Sequence, residues 1–304
     1  DPAMSDKVIL VTGATGGIGR EAAQTLAEQG YTLVLVGRNA EKLARTQQQI
    51  QQACKHDRID TIQADLSSMQ EVRRCAQTFL ERHDRLDVLL NNAGALFQTR
   101  TESVDGHEMT LALNHLHYFL LTHLLLDVLK KTAASEGEAR IVNVSSDAHR
   151  MATKGVDFSD LQAHKYSGFR RYGESKLMNI LFTFALARRI EGTQVTTTAL
   201  HPGFVNTGFG ENNKGWMTWM FKPLKTLFAR NEAKGAATSV YLCSSYEAKG
   251  INGAYFVDCK QRKPRSIAHD IQQQEQLWQR SEELCNLEDT LKIAPPTQHT
   301  QAAS

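Results

Sequence analysis

Val8-Ile9-Leu10-Val11-Thr12-Gly13-Ala14-Thr15-Gly16-Gly17-Ile18-Gly19 runs from an unbroken apolar segment into a turn with four glycines, and a helical pattern follows over Glu21–Gln29. A short apolar run ending in glycine suits a strand buried on both faces. Strand, tight glycine turn and helix, in that order, form the setting of a dinucleotide-binding turn. Gly13 permits the sharp turn, Gly17 lets a pyrophosphate approach the backbone, and Gly19 allows close packing of a helix whose N-terminus faces the phosphates. The spacing is G-x3-G-x-G with Gly16 added, so the candidate contacts are Gly13, Thr15, Gly16, Gly17, Ile18 and Gly19.

Outward from this turn, short β-type runs alternate with helical patterns. The predicted strands are Lys7–Thr12, Thr32–Val36, Asp60–Gln63, Leu86–Leu90, Arg140–Ser145, Gln194–Leu200 and Ala254–Asp258. Helices are expected between them, including Asn114–Lys130, Tyr172–Ile190 and Glu232–Cys243. One continuous alternation implies one domain of the α/β class: a single Rossmann-type doubly wound parallel sheet of about seven strands, with helices on both faces. Asp1-Pro2-Ala3 before Met4 reads as a cloning scar, and residues 4–265 as the main domain. From Ser266 a helix is expected through Leu287, followed by a disordered Gln/Thr/Ala/Ser end.

The second strand ends in Gly37-Arg38-Asn39. A carboxylate there would bind a free ribose 2′-hydroxyl; a planar guanidinium is better matched to a 2′-phosphate. NADP(H) is therefore expected over NAD(H), with Arg38 as the main discriminator and Asn39 beside it.

Composition removes several alternatives. Of 304 residues, 41% are hydrophobic and 22% charged, which suits a globular chain with a sizeable core. The balance of 35 Lys+Arg against 33 Asp+Glu gives +2 with no long basic block, so no nucleic-acid partner is expected. The five cysteines, Cys54, Cys75, Cys243, Cys259 and Cys285, are widely spaced without a CxxC pair, as in a protein of a reducing, cytoplasmic compartment. His115, His117 and His123 lack a carboxylate or thiol at ligand spacing, and no metal is expected. The longest apolar stretch, Leu111 to Leu129, is interrupted by Asn114, His115, His117, His123 and Asp127, and is too broken to span a membrane.

The chemistry is carried by an ordered set. Asp65-Leu66 follows the third strand, Asn91-Asn92-Ala93-Gly94 the fourth, and Asn114 lies in a helix. Ile141-Val142-Asn143-Val144-Ser145-Ser146 ends the fifth strand, and Tyr172-Gly173-Glu174-Ser175-Lys176 opens another helix. Tyr172 and Lys176, four apart, share one helix face. A free phenol titrates near 10, and lowering that to about 7 needs about 4 kcal/mol of differential stabilisation of the phenolate. The lysine and a cationic nicotinamide ring are plausible sources. Tyr172 would then exchange a proton with a carbonyl or alcohol oxygen, while Ser146 hydrogen-bonds that oxygen as charge develops. Strand alternation lets only one of Ser145 and Ser146 face the site.

This ordered set resembles the short-chain dehydrogenase/reductase family over roughly residues 7–265. The resemblance implies Asn114, Ser146, Tyr172 and Lys176 as catalytic residues. Lys176 also binds the nicotinamide ribose, and Asn114 helps hold a water that relays protons. It further implies dinucleotide contacts from Asp65, Leu66, Asn92, Ala93, Gly94, Tyr172 and Lys176, and from Pro202, Gly203, Val205 and Thr207 after the sixth strand. A homodimer is in keeping with it, although His117, followed by Tyr118, stands where close relatives carry a glycine.

Ser146 and Tyr172 are 26 residues apart, a long polar connection. With Ala148-His149, Asp160-Leu161-Gln162, Lys176–Phe182 and Phe256–Lys260, the chain looks most like the retinol dehydrogenase-like branch, and light-dependent protochlorophyllide reductases share several of these segments. That branch implies lipophilic carbonyls such as retinal and medium-chain aldehydes. Independently, residues 204–231 are rich in Phe, Trp, Met and Leu, suiting an oily substrate or peripheral membrane contact through 210–230. The leading expectation is an NADP(H)-dependent oxidoreductase moving hydride between nicotinamide and a lipophilic carbonyl or alcohol. The alternatives are a catalytically silent NADP(H)-binding regulator and a reductase of a specialised secondary metabolite.

Overall fold

The computed structural model describes residues 2–203 and 232–297. Among these residues eight strands form one sheet in the order β3-β2-β1-β4-β5-β6-β7-β8. They are β1 Val8–Thr12, β2 Thr32–Gly37, β3 Ile59–Gln63, β4 Val88–Asn91, β5 Ala139–Val144, β6 Val195–His201, β7 Ala254–Val257 and β8 Lys260–Arg262. The first seven run parallel, and β8 returns antiparallel along β7. Seven strands were expected, and the eighth follows from a two-residue turn. Asp258 and Cys259 both take positive φ, 50° and 57°, the left-handed pair that a tight hairpin requires. Neither is the Asn or Gly that normally signals such a turn. Lys260-Gln261-Arg262 is exposed throughout, and its charges blunt the sheet edge.

Each of the seven parallel strands feeds two layers because side chains alternate across the sheet. Val8 and Leu10 face a core shared with α3 (Met69–Arg82), α4 (His117–Glu136), α5 (Gly168–Arg189) and α7 (Ile271–Leu284). Ile9 and Val11 face the other core, under α1 (Gly17–Glu28), α2 (Ala40–Cys54) and α6 (Glu232–Ser244). Helix starts follow their sequence signals: Asn39 accepts from the Lys42 amide at α2, and Ser68 from the Glu71 amide at α3.

The strand order reverses direction between β1 and β4, and the crevice outside the carboxyl ends of a doubly wound sheet at such a point is where ligands bind. The chain places its glycine turn and Asn92-Ala93-Gly94 there. Three further features bear on the site. The helix bearing Asn114 contains a π turn, Ala112–Leu116, before α4 begins. Residues 147–171 are built around turns at Asp147–Met151 and Phe158–Asp160. Helix α7 covers the outward faces of α4 and α5, where Trp278 packs on Phe119, His123 and Phe182.

Candidate active site

The glycine turn is set by backbone conformation and by close approach. Gly13 and Gly17 have φ of +63° and +55°, values that side-chain-bearing residues rarely adopt. A Cβ on Gly13 would lie 2.8 Å from the Ala93 Cα, and one on Gly19 would collide with the Asn92 side chain and the Gly13 carbonyl. Gly19 is thus needed for packing against the β4 loop. Gly17, expected to admit pyrophosphate, is required first by its own φ. Gly16 has open space above it, and no side chain caps the first turn of α1. The amides of that turn are therefore directed at a cradle that fits a pyrophosphate.

Thr12, inside the apolar strand, locks the two halves of this cradle together. Its hydroxyl accepts from the amides of Asn92 (2.9 Å) and Ala93 (3.0 Å), while Asn92 Nδ2 donates to the carbonyls of Thr12 (3.1 Å) and Gly13 (3.2 Å). A Cβ on Gly37 would lie 2.7 Å from the Thr15 methyl, and Arg38 beside it is exposed at the rim of the turn. The Asn39 side chain is committed to capping α2, and Asp65 Oδ1 accepts from the Ser67 amide and hydroxyl. Leu66 is buried beside it.

On the other side of the crevice, Ser146, Tyr172, Lys176 and Asn114 converge. Ser146 is half-buried at the end of β5, and its hydroxyl is hydrogen-bonded to the Tyr172 phenol. Ser145 points the other way, donating to the Lys176 carbonyl at 2.8 Å and tying α5 to β5. The two hydroxyls thus point to different partners, as strand alternation requires. Lys176 Nζ is buried 5.5 Å from the Tyr172 ring centroid and donates to the Val144 carbonyl at 3.2 Å. A Cβ on Gly94 would sit 3.3 Å from that Nζ and 3.2 Å from Asn114 Oδ1, so this glycine lets the β4 loop lie against both.

Asn114 is held on all sides. Its Oδ1 accepts from the Ala95 amide and its Nδ2 donates to the Ala95 carbonyl, both at 2.9 Å; Nδ2 also reaches Ser175 Oγ at 3.1 Å. Asn179 Nδ2 donates to the Asn114 carbonyl at 2.9 Å. These clamps accompany the π turn, a distortion often found where a helix carries function. Ser175 and Asn179, three residues beyond Tyr172 and Lys176, could have been found as polar positions on an otherwise apolar face.

The electrostatics differ from the expectation in one respect. Burial pushes the Tyr172 phenol up from its ordinary value, and the Ser146 hydrogen bond offsets only part of this. Burial also pushes Lys176 down to about 8. The protein's own groups therefore keep the phenol protonated, burial exceeding the Ser146 contribution.

His115, His117 and His123 are buried among the helices. His115 Nε2 meets Ser281 Oγ at 2.9 Å, and the other two bond to carbonyls one turn back, those of Leu113 and Phe119. Pro202 and Gly203 follow β6, Gly203 with φ +91°. Val205, Thr207 and the apolar stretch 204–231 lie outside the described residues, as does the expected disordered end beyond residue 297. Among the described residues no helix is long and apolar enough to cross a membrane.

This arrangement has close parallels. The short chain dehydrogenase family model matches residues 7–218. The chain is 40% identical over 256 residues to human Retinol dehydrogenase 11, covering 83% of this chain and 77% of that protein. It is 38% identical over 274 residues to Short-chain dehydrogenase TIC 32 B, chloroplastic, of Brassica napus, covering 88% and 85%. Among solved structures, a putative uncharacterized protein from Mycobacterium paratuberculosis superposes with TM-score 0.72 at 28% identity, covering 93% of this chain and 94% of that one. A Pseudomonas aeruginosa RhlG/NADP active-site complex gives 0.64 at 28% identity, covering 82% and 93%. With the glycine cradle on one side of the crevice and the Ser146, Tyr172 and Lys176 cluster on the other, the chain belongs to the short-chain dehydrogenase family of oxidoreductases, on its retinol dehydrogenase-like branch.

Proposed function

We propose that the protein is an NADP(H)-dependent carbonyl reductase of lipophilic aldehydes or ketones, retinal-like or medium-chain, and the corresponding alcohol dehydrogenase in reverse. The observation that carries this reading is the Tyr172 phenol, hydrogen-bonded to Ser146 and flanked on its own helix by Lys176. NADP(H), when bound, supplies or accepts the hydride at the nicotinamide ring. Gly13, Thr15, Gly16, Gly17, Ile18 and Gly19 would hold its pyrophosphate on the α1 N-terminus, and Arg38 its 2′-phosphate. Asn39, Asp65, Leu66, Asn92, Ala93, Gly94, Pro202 and Gly203 would line the remainder, with Val205 and Thr207 beyond.

The substrate oxygen would sit between the hydroxyls of Ser146 and Tyr172. A phenol kept protonated by burial is in the form needed to donate its proton to that oxygen during reduction. Ser146 donates a hydrogen bond as negative charge develops there. Lys176 binds the nicotinamide ribose and favours return of the phenol's proton, with Asn114 holding the outer end of the relay. The apolar composition of 204–231 and the retinol dehydrogenases among the relatives support an oily substrate. The five free cysteines suit a cytoplasmic setting.

Initial rates of NADPH and NADH oxidation over all-trans-retinal, straight-chain aldehydes, aromatic ketones and quinones test the reading. Turnover on apolar carbonyls, faster with NADPH, is expected. NADPH binding without oxidation across that panel would instead indicate the silent regulator.

A further inference from the structure

The turn after β5 is tied to distant parts of the chain by one buried imidazole. His149 has no exposed surface; its Nδ1 lies 2.8 Å from the Ser146 carbonyl and its Nε2 3.1 Å from the Arg265 amide nitrogen. A carbonyl can only accept and an amide N–H only donate, so Nδ1 carries the proton and Nε2 the lone pair. Burial lowers the pKa of this ring, in keeping with a neutral tautomer. The His149 amide donates to the same Ser146 carbonyl at 3.0 Å, so that oxygen accepts twice.

The neighbouring atoms complete a brace around Ser146. Its Oγ accepts from the Ala148 amide at 3.0 Å, the Asp147 amide donates to His201 Nδ1 at 2.9 Å, and the Tyr255 hydroxyl donates to Asp147 Oδ1 at 2.6 Å. Helix α5 closes on this turn at Gly173, where a Cβ would lie 2.5 Å from the Ala148 carbonyl oxygen. Ser146 stands where β5 ends, with no further strand pairing to fix its peptide plane. The ring of His149 fixes that plane from one side and anchors it to the segment after β8 from the other.

We propose that His149 is a positioning residue that acts through Ser146, holding the serine hydroxyl against Tyr172; the proposal rests on the reductase reading above. Isosteric substitutions separate its two bonds. In His149→Asn the amide nitrogen takes the place of Nδ1 and keeps the bond to the Ser146 carbonyl. In His149→Gln the amide oxygen takes the place of Nε2 and keeps only the bond to Arg265.

The experiment measures kcat, KM for NADPH and carbonyl, NADPH affinity by fluorescence titration, and thermal unfolding for both variants, with rates normalised to cofactor-binding sites. His149→Gln is expected to lose about tenfold in kcat, the equivalent of roughly 1.4 kcal/mol, with KM for NADPH within about twofold of wild type, the scale of context effects on a remote contact. His149→Asn is expected to recover at least half the wild-type kcat. Equal kcat losses in the two variants, or lowered unfolding temperatures with unchanged kcat per binding site, would overturn the proposal. If Tyr172→Phe keeps the wild-type rate, or wild type shows no turnover, the reductase reading fails and the role of His149 in it fails too. Normal His149→Gln beside inactive Tyr172→Phe refutes the positioning role alone.

Discussion

Acid should unfold this protein chiefly through its buried histidines. His115 is pushed down to about 4, His117 to about 3 and His123 to about 4, in each case chiefly by burial. His117 and His123 donate from Nδ1 to carbonyls one turn back, which leaves each Nε2 buried without a partner among the described residues. A second ring proton would have nothing to meet. In the unfolded chain the same groups take up protons near 6.5. Because their folded values are depressed, the unfolded state binds more protons between pH 6.5 and about 4, and stability is lost as pH falls through that window. Each histidine removes about 1.4 kcal/mol per pH unit there, so the three together remove roughly 4 kcal/mol per unit. Between pH 6.5 and 5 the loss reaches about 5 kcal/mol, because the full slope is attained only below the unfolded value, and this is comparable with the whole stability of a marginal domain. His149 and His201, also lowered by burial, add to the slope, while Glu174 and Glu282, whose carboxyls burial raises, subtract from it. Urea unfolding at fixed ionic strength from pH 7.5 to 5 measures the slope. His123→Phe, which keeps the ring packing against Phe119 and Trp278, should flatten it by about one proton. A stability that changes by less than about 1 kcal/mol over the window would refute the reasoning.

Two further predictions concern other parts of the chain. Arg38→Asp should move the ratio of kcat/KM for NADPH over NADH toward NADH by at least about tenfold, since a bidentate guanidinium contact is worth more than 1.4 kcal/mol; an unchanged ratio would assign the 2′-phosphate to another residue. Arg171 and Glu108 form a buried pair at 2.6 Å, with side chains 3% and 0% exposed. Glu108→Ala should therefore cost about 1–3 kcal/mol in urea unfolding, since Arg171 loses one of two carboxylate partners, Glu174 remaining at 2.7 Å, and the Thr110 and Leu111 amides lose their acceptor; a cost below about 1 kcal/mol would show the pair to be dispensable.

Much of this architecture is legible in the sequence because it depends on local rules. Val8–Thr12 is a short apolar run ending at a glycine turn, which suits a strand buried on both faces, and Gly13 sits where a left-handed turn is needed. Tyr172 and Lys176 are readable together because helical spacing alone puts them on one face. What the sequence conceals depends on contacts between distant segments. The hairpin to β8 uses Asp258 and Cys259 at left-handed positions with no Asn-Gly signal. Both backbone groups of Ala95 and the side chain of Asn179 hold Asn114 in the π turn, and neither partner adjoins it in the chain. Arg171 reads as a surface charge until Glu108, 63 residues away, is placed against it. The direction of the Tyr172 shift was concealed for the same reason, since the depth of burial around the phenol comes from the fold.

The central claim is that Tyr172 exchanges a proton with the substrate oxygen. Its most direct test compares wild type with Tyr172→Phe in NADPH-dependent reduction of the best carbonyl, alongside NADPH affinity measured by titration. General acid–base work of this kind contributes about 10²–10⁴-fold, so kcat should fall by at least about a hundredfold while NADPH affinity stays within a few-fold. A variant that keeps more than about a tenth of the wild-type rate would contradict the account.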